Sequence, residues 1–510
     1  MITRIKIDGF KSLLNTELYF SPFTCIAGAN AMGKSNFFDA LMFLSKLVDN
    51  SILEAAKSIR SENQKHSNIK DIFYKSGDKY QPTMRFEVDM IVANEAEDDF
   101  GQMAKATTRS LRYILELQLN DNEHNRELIE IKQEKLVSIT QENIKKSLYF
   151  EPKPDWTNSI ISEGNSTEIP FISTEKDKIR LHQDGENGGR TMLFSAEKMP
   201  RTLLSNVTSE SPTAFLARHE MRTWLMLQLE PSALREPNSA YEIKNAKMTA
   251  YGNNLPATLY RLYSDYQFNS NQFDNTKSDS TQYDIYQQLT NQMKVLVPSV
   301  DEIFVDNDEK RDLLTLQIRF KDGLVLPAQS LSDGTLRFLG LAILKEDSQR
   351  SSLICLEEPE NGMHPKIIKE IISLLQGMAS DTNYPVDASN PLRQVIINSH
   401  SPLLVSKIDS STLYMVTDTE FYSEYFGKKI KYSSFLVIEG TWRTKIENNP
   451  CESISYENIK SYLSNFDDEI NEEIENENTN KTVQNQYKRK EKMTVKKHFE
   501  LQYPLEFDVK

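Results

Sequence analysis

Residues 28–35 read GANAMGKS. The spacing is that of two glycines bracketing four residues, followed at once by a lysine and a hydroxyl residue. Such a loop binds phosphate: Gly28 and Gly33 let the backbone curl until its N–H groups point inward at phosphate oxygens. Lys34 adds a point charge, and Ser35 offers a hydroxyl to a divalent cation. The flanks are what this chemistry needs, with an apolar strand (CIAG) entering the loop and an apolar helix (SNFFDALMFL) leaving it. The N-terminus of that helix brings its positive dipole to the same point.

Three further stretches narrow the chemistry. SSLICLEEPE at 351–360 is an apolar strand ending in two adjacent carboxylates, Glu357 and Glu358. One can hold a hydrated cation and its neighbour can polarise an attacking water. Successive strand residues point to opposite sides, so the two divide the work. LSDGTLRFLGLAIL at 331–344 places Ser332, Asp333 and Gly334 at the mouth of an apolar helix, a second small anion site. One phosphate loop has little use for a second phosphate site unless that site serves another subunit's nucleotide. RQVIINSHSPLL at 393–404 is a strand ending in His400, where an imidazole can reach a terminal phosphate.

The elements that must position these residues follow from periodicity. A strand over Thr3–Ile7, a second over Phe23–Ala27 and a helix from Lys34 to Val48 open the chain. Alternation over 81–92 and 110–119 predicts half-exposed strands. The segment SESPTAFLARHEMRTWLMLQLEPSALREPN reads as a helix followed by a proline-punctuated turn. Residues 263–284, rich in Ser, Asn, Gln and Asp, read as a surface loop or linker. From 321 to 440, apolar strands alternate with helices in the rhythm of a parallel α/β sheet. No sustained heptad repeat predicts a coiled-coil arm. Past 441 an acidic run (467–477) and a basic run (488–497) predict a solvated or docking extension.

Phosphate loop, LSDG, carboxylate strand and histidine strand, in that order, resemble an ABC-type ATPase head. Asn30 and Asn36 within GANAMGKSN, with LSDGTLRF, EEPENGMHP and NSHSP, resemble the RecF/OLD-like branch of recombination, repair and defence proteins. WLMLQLEPSALREPN is similar to the middle of the ATPase subunits of Septu-type and PARIS-type anti-phage systems. The resemblance implies an α/β fold: a P-loop parallel sheet plus an antiparallel β lobe, a helical insertion and a polar C-terminal extension. The parts are expected at 1–95 (phosphate loop), 96–320 (β-lobe strands and helical dimerisation lobe), 321–440 (LSxG, carboxylate and histidine strands) and 441–510 (charged extension).

The resemblance further implies a mechanism with ATP and Mg2+. Two heads clamp two ATP molecules. Gly28, Asn30, Gly33, Lys34, Ser35 and Asn36 of one copy face Ser332, Asp333 and Gly334 of the other. Glu358 is the general base, His400 touches the γ-phosphate, and Ser35 and Glu357 hold the metal. Glu357 stands where most relatives carry an aspartate, one methylene shorter. A glutamine contact to the metal is also implied, with Gln64 and Gln81 as candidates.

Four outputs compete. A transporter motor fits worst, because about three hundred residues separate the phosphate loop from LSDG. An OLD-like nuclease would use Glu439 of FLVIEG (435–440) to open a Toprim metal site. Only about 70 residues follow, with no second apolar strand ending in a carboxylate. A RecF-like DNA clamp would draw on Arg190, Lys198, Arg201, Arg218, His219, Arg222 and Arg337. The net charge of −14 and the acidic run favour a protein partner over DNA. The reading is therefore a switch subunit of a defence complex, a homodimer or higher oligomer with a separate nuclease or toxin effector. With three cysteines, no secretory leader and no apolar run long enough to span a bilayer, a cytoplasmic location is expected.

Overall fold

The computed structural model describes all residues except 60–67, 121–128, 162–168, 185–188, 197–198, 273–284, 348–350, 448, 456 and 460–510. Met1–Ile454 form one compact unit. The acidic and basic runs of the extension, Gln64 and Lys198 lie outside the described residues. The compact unit runs past 440, since the strand Ser453–Ile454 joins its central sheet.

That central sheet has seven strands in the order Trp224–Leu227, Leu353–Glu357, Gln394–Ser399, Phe23–Ala27, Leu413–Ser423, Lys428–Ile438, Ser453–Ile454. The first five are mutually parallel. Phe23–Ala27 and Gln394–Ser399 are buried at every position, as strands covered on both faces must be. Parallel strands deliver their C-terminal ends to one edge, where open α/β sheets bind ligands. Here that edge carries Gln228, Glu357, His400 and the 28–35 loop.

An antiparallel sheet of eight strands lies apart from it, from Thr16–Tyr19 at one edge to Thr191–Ser195 at the other. The predicted strands appear in it as Thr83–Ile91 and Ser110–Leu119, and the first strand as Ile2–Asp8. Tyr113, Leu115 and Leu117 are buried on one face. The other face carries a charge ladder in which Arg4 bonds Glu17 and Glu87, and Arg112 forks onto Asp89 at 2.6 and 2.7 Å.

The helix Lys34–Leu47 joins both sheets into one core. Its Phe43 meets Phe10 and Phe86 of the antiparallel side, with ring centroids 5.8 Å apart in each case. Phe37 stacks on Phe20 at 5.9 Å and meets Phe435 edge-on. The phosphate loop therefore leads into a helix whose apolar side chains are fully packed, giving the loop a rigid floor.

The insertion is helical in part. Helices Leu255–Gln272 and Ile285–Leu296 pack with a small sheet, built on Val300–Asp308 and Leu313–Phe320, against the helix Asp333–Glu346. Arg261 pairs with Asp347 at 2.8 Å, both almost fully buried. This lobe fixes the helix that begins at LSDG.

Two predicted elements change. Residues 263–272, read as part of a surface loop or linker, belong to the helix Leu255–Gln272, while 273–284 lie outside the described residues. The segment read as helix then turn is a helix over Pro212–Arg222, a strand over Trp224–Leu227 and a short helix over Pro231–Leu234. The strand forms because a parallel neighbour, Leu353–Glu357, pairs with it residue for residue. A four-residue apolar run carries no periodicity of its own to announce that.

Candidate functional site

The loop Gly28–Ser35 leaves its strand through two glycines that no other residue could replace without movement. A Cβ on Gly28 would come within 2.5 Å of the Val416 carbonyl oxygen, and one on Gly33 would collide with the Ser433 hydroxyl. Gly33 also has φ of 95°, in the left-handed region. Beneath it, Ser12 Oγ lies 2.6 Å from Ser433 Oγ and accepts from Asn36 Nδ2 at 2.7 Å. Asn36 therefore braces the loop from inside, while Asn30 is exposed at its rim.

Lys34 is buried, and its Nζ donates to the carbonyls of Gly28 at 2.7 Å and Ala29 at 2.8 Å. Burial pushes this ammonium below its ordinary range, while Glu358, Glu360 and Glu357 pull it back up. A cation set among three carboxylates inside a glycine loop could seat an anion carrying a divalent metal.

The carboxylate pair separates by backbone geometry more than by strand alternation. Glu357 ends its strand and accepts from Ser35 Oγ at 3.1 Å. Glu358 turns out of the strand with φ of 47°. Its N–H is held by Asn398 O at 3.0 Å and Asn398 Oδ1 at 3.1 Å. Its carboxylate meets His400 Nδ1 at 2.8 Å and accepts from Asn361 Nδ2 at 2.6 Å. Ser35 with Glu357 is a hard-oxygen pair suited to Mg2+. Glu358 with His400 is a carboxylate held by a ring, which could serve as a base.

Ser332 caps the helix Asp333–Glu346, accepting from Thr335 N at 3.3 Å. Ser332 and Asp333 are exposed, and Arg235 holds Asp333 at 2.6 Å. Gly334 is buried, where a Cβ would meet the Gly362 carbonyl at 3.0 Å. Among the described residues Ser332 bonds Thr335 and Asp333 bonds Arg235, and neither reaches the phosphate loop of the same chain.

A glutamine missing from the sequence expectation stands beside Glu357. Gln228 follows Leu227, which pairs in register with Leu356, and it lines a cavity of about 220 Å³ with Glu357 and Glu358. Gln81 lines a different cavity, with Asp8, Glu17 and Ser433. The signal was present as Gln228 directly after WLML, but only the strand assignment reveals it.

A protein-family model described as "AAA domain, putative AbiEii toxin, Type IV TA system" matches residues 23–406. The chain belongs to this AAA domain family. The match spans the phosphate loop, the LSDG helix, the carboxylate strand and the histidine strand. No curated protein matches this AAA chain. Solved structures similar to it include an SMC head bound to the C-winged helix domain of ScpA, at 14% identity, covering 85% of this chain and 97% of that one with a TM-score of 0.41. Another is the SMC head domain from Thermotoga maritima, at 12% identity, 84% and 97% coverage and a TM-score of 0.34.

Four of the five arginines offered for DNA contact, Arg201, Arg218, Arg222 and Arg337, are engaged within this AAA unit, while Arg190 is exposed. Arg218 and Arg222 both pair with Asp49 at 3.2 Å, and Arg222 also pairs with Asp99. Arg201 donates to the Asp49 carbonyl at 2.8 Å, and Arg337 to the Asn361 carbonyl. His219 is held below its ordinary range, chiefly by burial. Among the described residues no helix is long and apolar enough to cross a membrane.

Proposed function

We propose that this AAA protein is an ATPase that hydrolyses ATP between two copies of itself and serves as the switch subunit of a defence complex. The observation that carries the catalytic part is the division of the carboxylates, Glu357 to Ser35 and Glu358 to His400.

In this reading Lys34 exchanges its loop carbonyls for the β- and γ-phosphates, and the N–H groups of the 28–35 loop hold the remaining oxygens. Mg2+, held by Ser35 Oγ and Glu357, supplies charge neutralisation at the phosphates. Glu358 takes a proton from the attacking water, and His400 orients that carboxylate and contacts the γ-phosphate. Gln228 adds an amide oxygen beside Glu357. Ser332, Asp333 and Gly334 of the second copy close the far side. The exposed hydroxyl at that helix start supports the closure, since among the described residues it bonds only Thr335 as a helix cap.

The switch reading is supported by the family description, which places relatives in a toxin–antitoxin setting, and by the net charge of −14. The effector would be a separate nuclease or toxin polypeptide, and ATP-bound pairing of the heads would hold or license it. The clamp reading gains no support from Arg201, Arg218, Arg222 or Arg337, whose groups already have acceptors.

The test is purification of wild-type and Glu358→Gln protein from the native host with neighbouring gene products, followed by mass, ATPase and nuclease assays. A co-purifying polypeptide with ATP-sensitive nucleic-acid cleavage supports the switch. A protein that emerges alone and binds DNA only with ATP supports the clamp instead.

A further inference from the structure

Glu360 takes no part in the mechanism above, yet it is the most deeply buried carboxylate at this edge of the sheet. It is 8% exposed. Its Oε1 accepts from the Ser399 hydroxyl, and its Oε2 is sealed from solvent without a hydrogen-bond partner among the described residues. Burial raises the carboxyl above its ordinary range, and the Ser399 bond offsets part of that. A carboxyl kept in such a place is costly, and an apolar side chain would pack there at lower cost.

Its contacts explain what it holds. Ser399 is fully buried, and its Oγ, besides donating to Glu360, accepts the Ser401 N–H at 3.0 Å. Both chain neighbours of His400 are thereby tied, Ser399 to Glu360 directly and Ser401 through the Ser399 hydroxyl. The tie is reciprocal, because the residue before Ser399, Asn398, holds the N–H of Glu358 twice. The turn that carries Glu358 and the turn that carries His400 are stitched in both directions. The stitch also sustains the left-handed conformation of Glu358, a state that costs roughly 1–3 kcal/mol in a residue other than glycine.

We propose that Glu360 is a positioning residue for hydrolysis, acting through Ser399 to set His400 at hydrogen-bonding distance from Glu358. The inference rests on the ATPase reading for its kinetic consequence, though not for its geometry. Glu360 would act through Ser399 and not on the reacting atoms. Its work is to hold an imidazole at the angle at which it can orient the base.

Three variants of the full chain test this. Glu360→Gln keeps an acceptor of the same shape, Glu360→Leu keeps the volume without the acceptor, and Ser399→Ala removes the middle link. The readouts are kcat and KM for ATP, and the His400 ring signals in spectra of histidine-labelled protein, assigned by their loss in His400→Gln. Glu360→Leu and Ser399→Ala should each lower kcat about tenfold with KM moved by less than about twofold. The Leu/Ala double variant should be no worse than either alone, and Glu360→Gln should stay near wild type. Both damaging variants should move the His400 ring signals.

Unchanged kcat in both variants, a loss confined to KM, or a double variant in which the two losses multiply would overturn the proposal. If wild type hydrolyses no ATP, the ATPase reading fails and the ring signals decide alone. Their movement in the Leu and Ala variants but not in Gln upholds the positioning role, and their constancy overturns it. Should Glu360→Leu not fold, Ser399→Ala carries both readouts.

Discussion

His400 Nδ1 lies 2.8 Å from Glu358 Oε1, joining the ends of two neighbouring parallel strands across the mouth of the phosphate loop. The contact places a titratable ring on the carboxylate that would activate water. Replacing His400 by Ala should lower ATP turnover by about 10²-fold while leaving nucleotide binding within a few-fold. Comparing single-turnover hydrolysis with equilibrium binding of a fluorescent ATP analogue checks the split.

Gln228 shares its cavity with Glu357, the residue paired to Ser35. Gln228→Ala should raise the Mg2+ concentration needed for half-maximal hydrolysis by about tenfold, as loss of an outer contact to a metal site does. A Mg2+ titration at saturating ATP reads it directly. An unchanged Mg2+ requirement would remove Gln228 from the site.

The phosphate loop, the carboxylate pair and the histidine were legible in sequence because each is a local pattern at a strand end. Gln228 was not. The four residues before it form a strand only through pairing with Leu353–Glu357, 129 positions away by the Trp224–Leu353 register. The left-handed turn at Glu358 was equally hidden, since it depends on Asn398 rather than on a glycine. The shared partner of Arg218 and Arg222 was hidden in the same way, since Asp49 lies about 170 positions before them. Long-range partners decide these cases, and periodicity does not carry them.

Glu134 is fully buried, with Oε2 accepting Leu203 N at 2.7 Å and Oε1 accepting Leu204 N at 2.9 Å and the Tyr113 hydroxyl at 3.1 Å. Burial pushes its carboxyl up from 4.5 to about 7. The folded state therefore binds this proton more tightly than the unfolded chain. The contribution is complete below about pH 4.5 and is lost as pH rises through about 7, a span on the order of 3 kcal/mol. Glu134→Gln should flatten that part of the profile, as measured by urea unfolding at intervals between pH 4.5 and 8. A slope unaltered by the substitution would contradict it.

Phe37 is fully buried among Phe20, Phe38 and Phe435 on the helix that leaves the phosphate loop. Phe37→Ala should cost about 3–5 kcal/mol of stability, because the rigid sheets on either side cannot collapse onto the gap. Denaturant unfolding gives the value, and a cost below about 1 kcal/mol would show that the loop's floor yields.

The claim on which the functional account turns is that the site is completed by a second copy. The most direct measurement mixes two inactive variants, Lys34→Ala and Ser332→Arg, and assays ATP hydrolysis. The first lacks its own phosphate loop charge but offers an intact LSDG segment, and the second is the reverse. The account predicts that each alone is nearly dead and that mixing restores part of the wild-type rate, because a mixed pair contains one site with both halves intact. If both variants fold, wild type is active and the mixture remains dead at every ratio, the site is not shared between copies and the account is wrong.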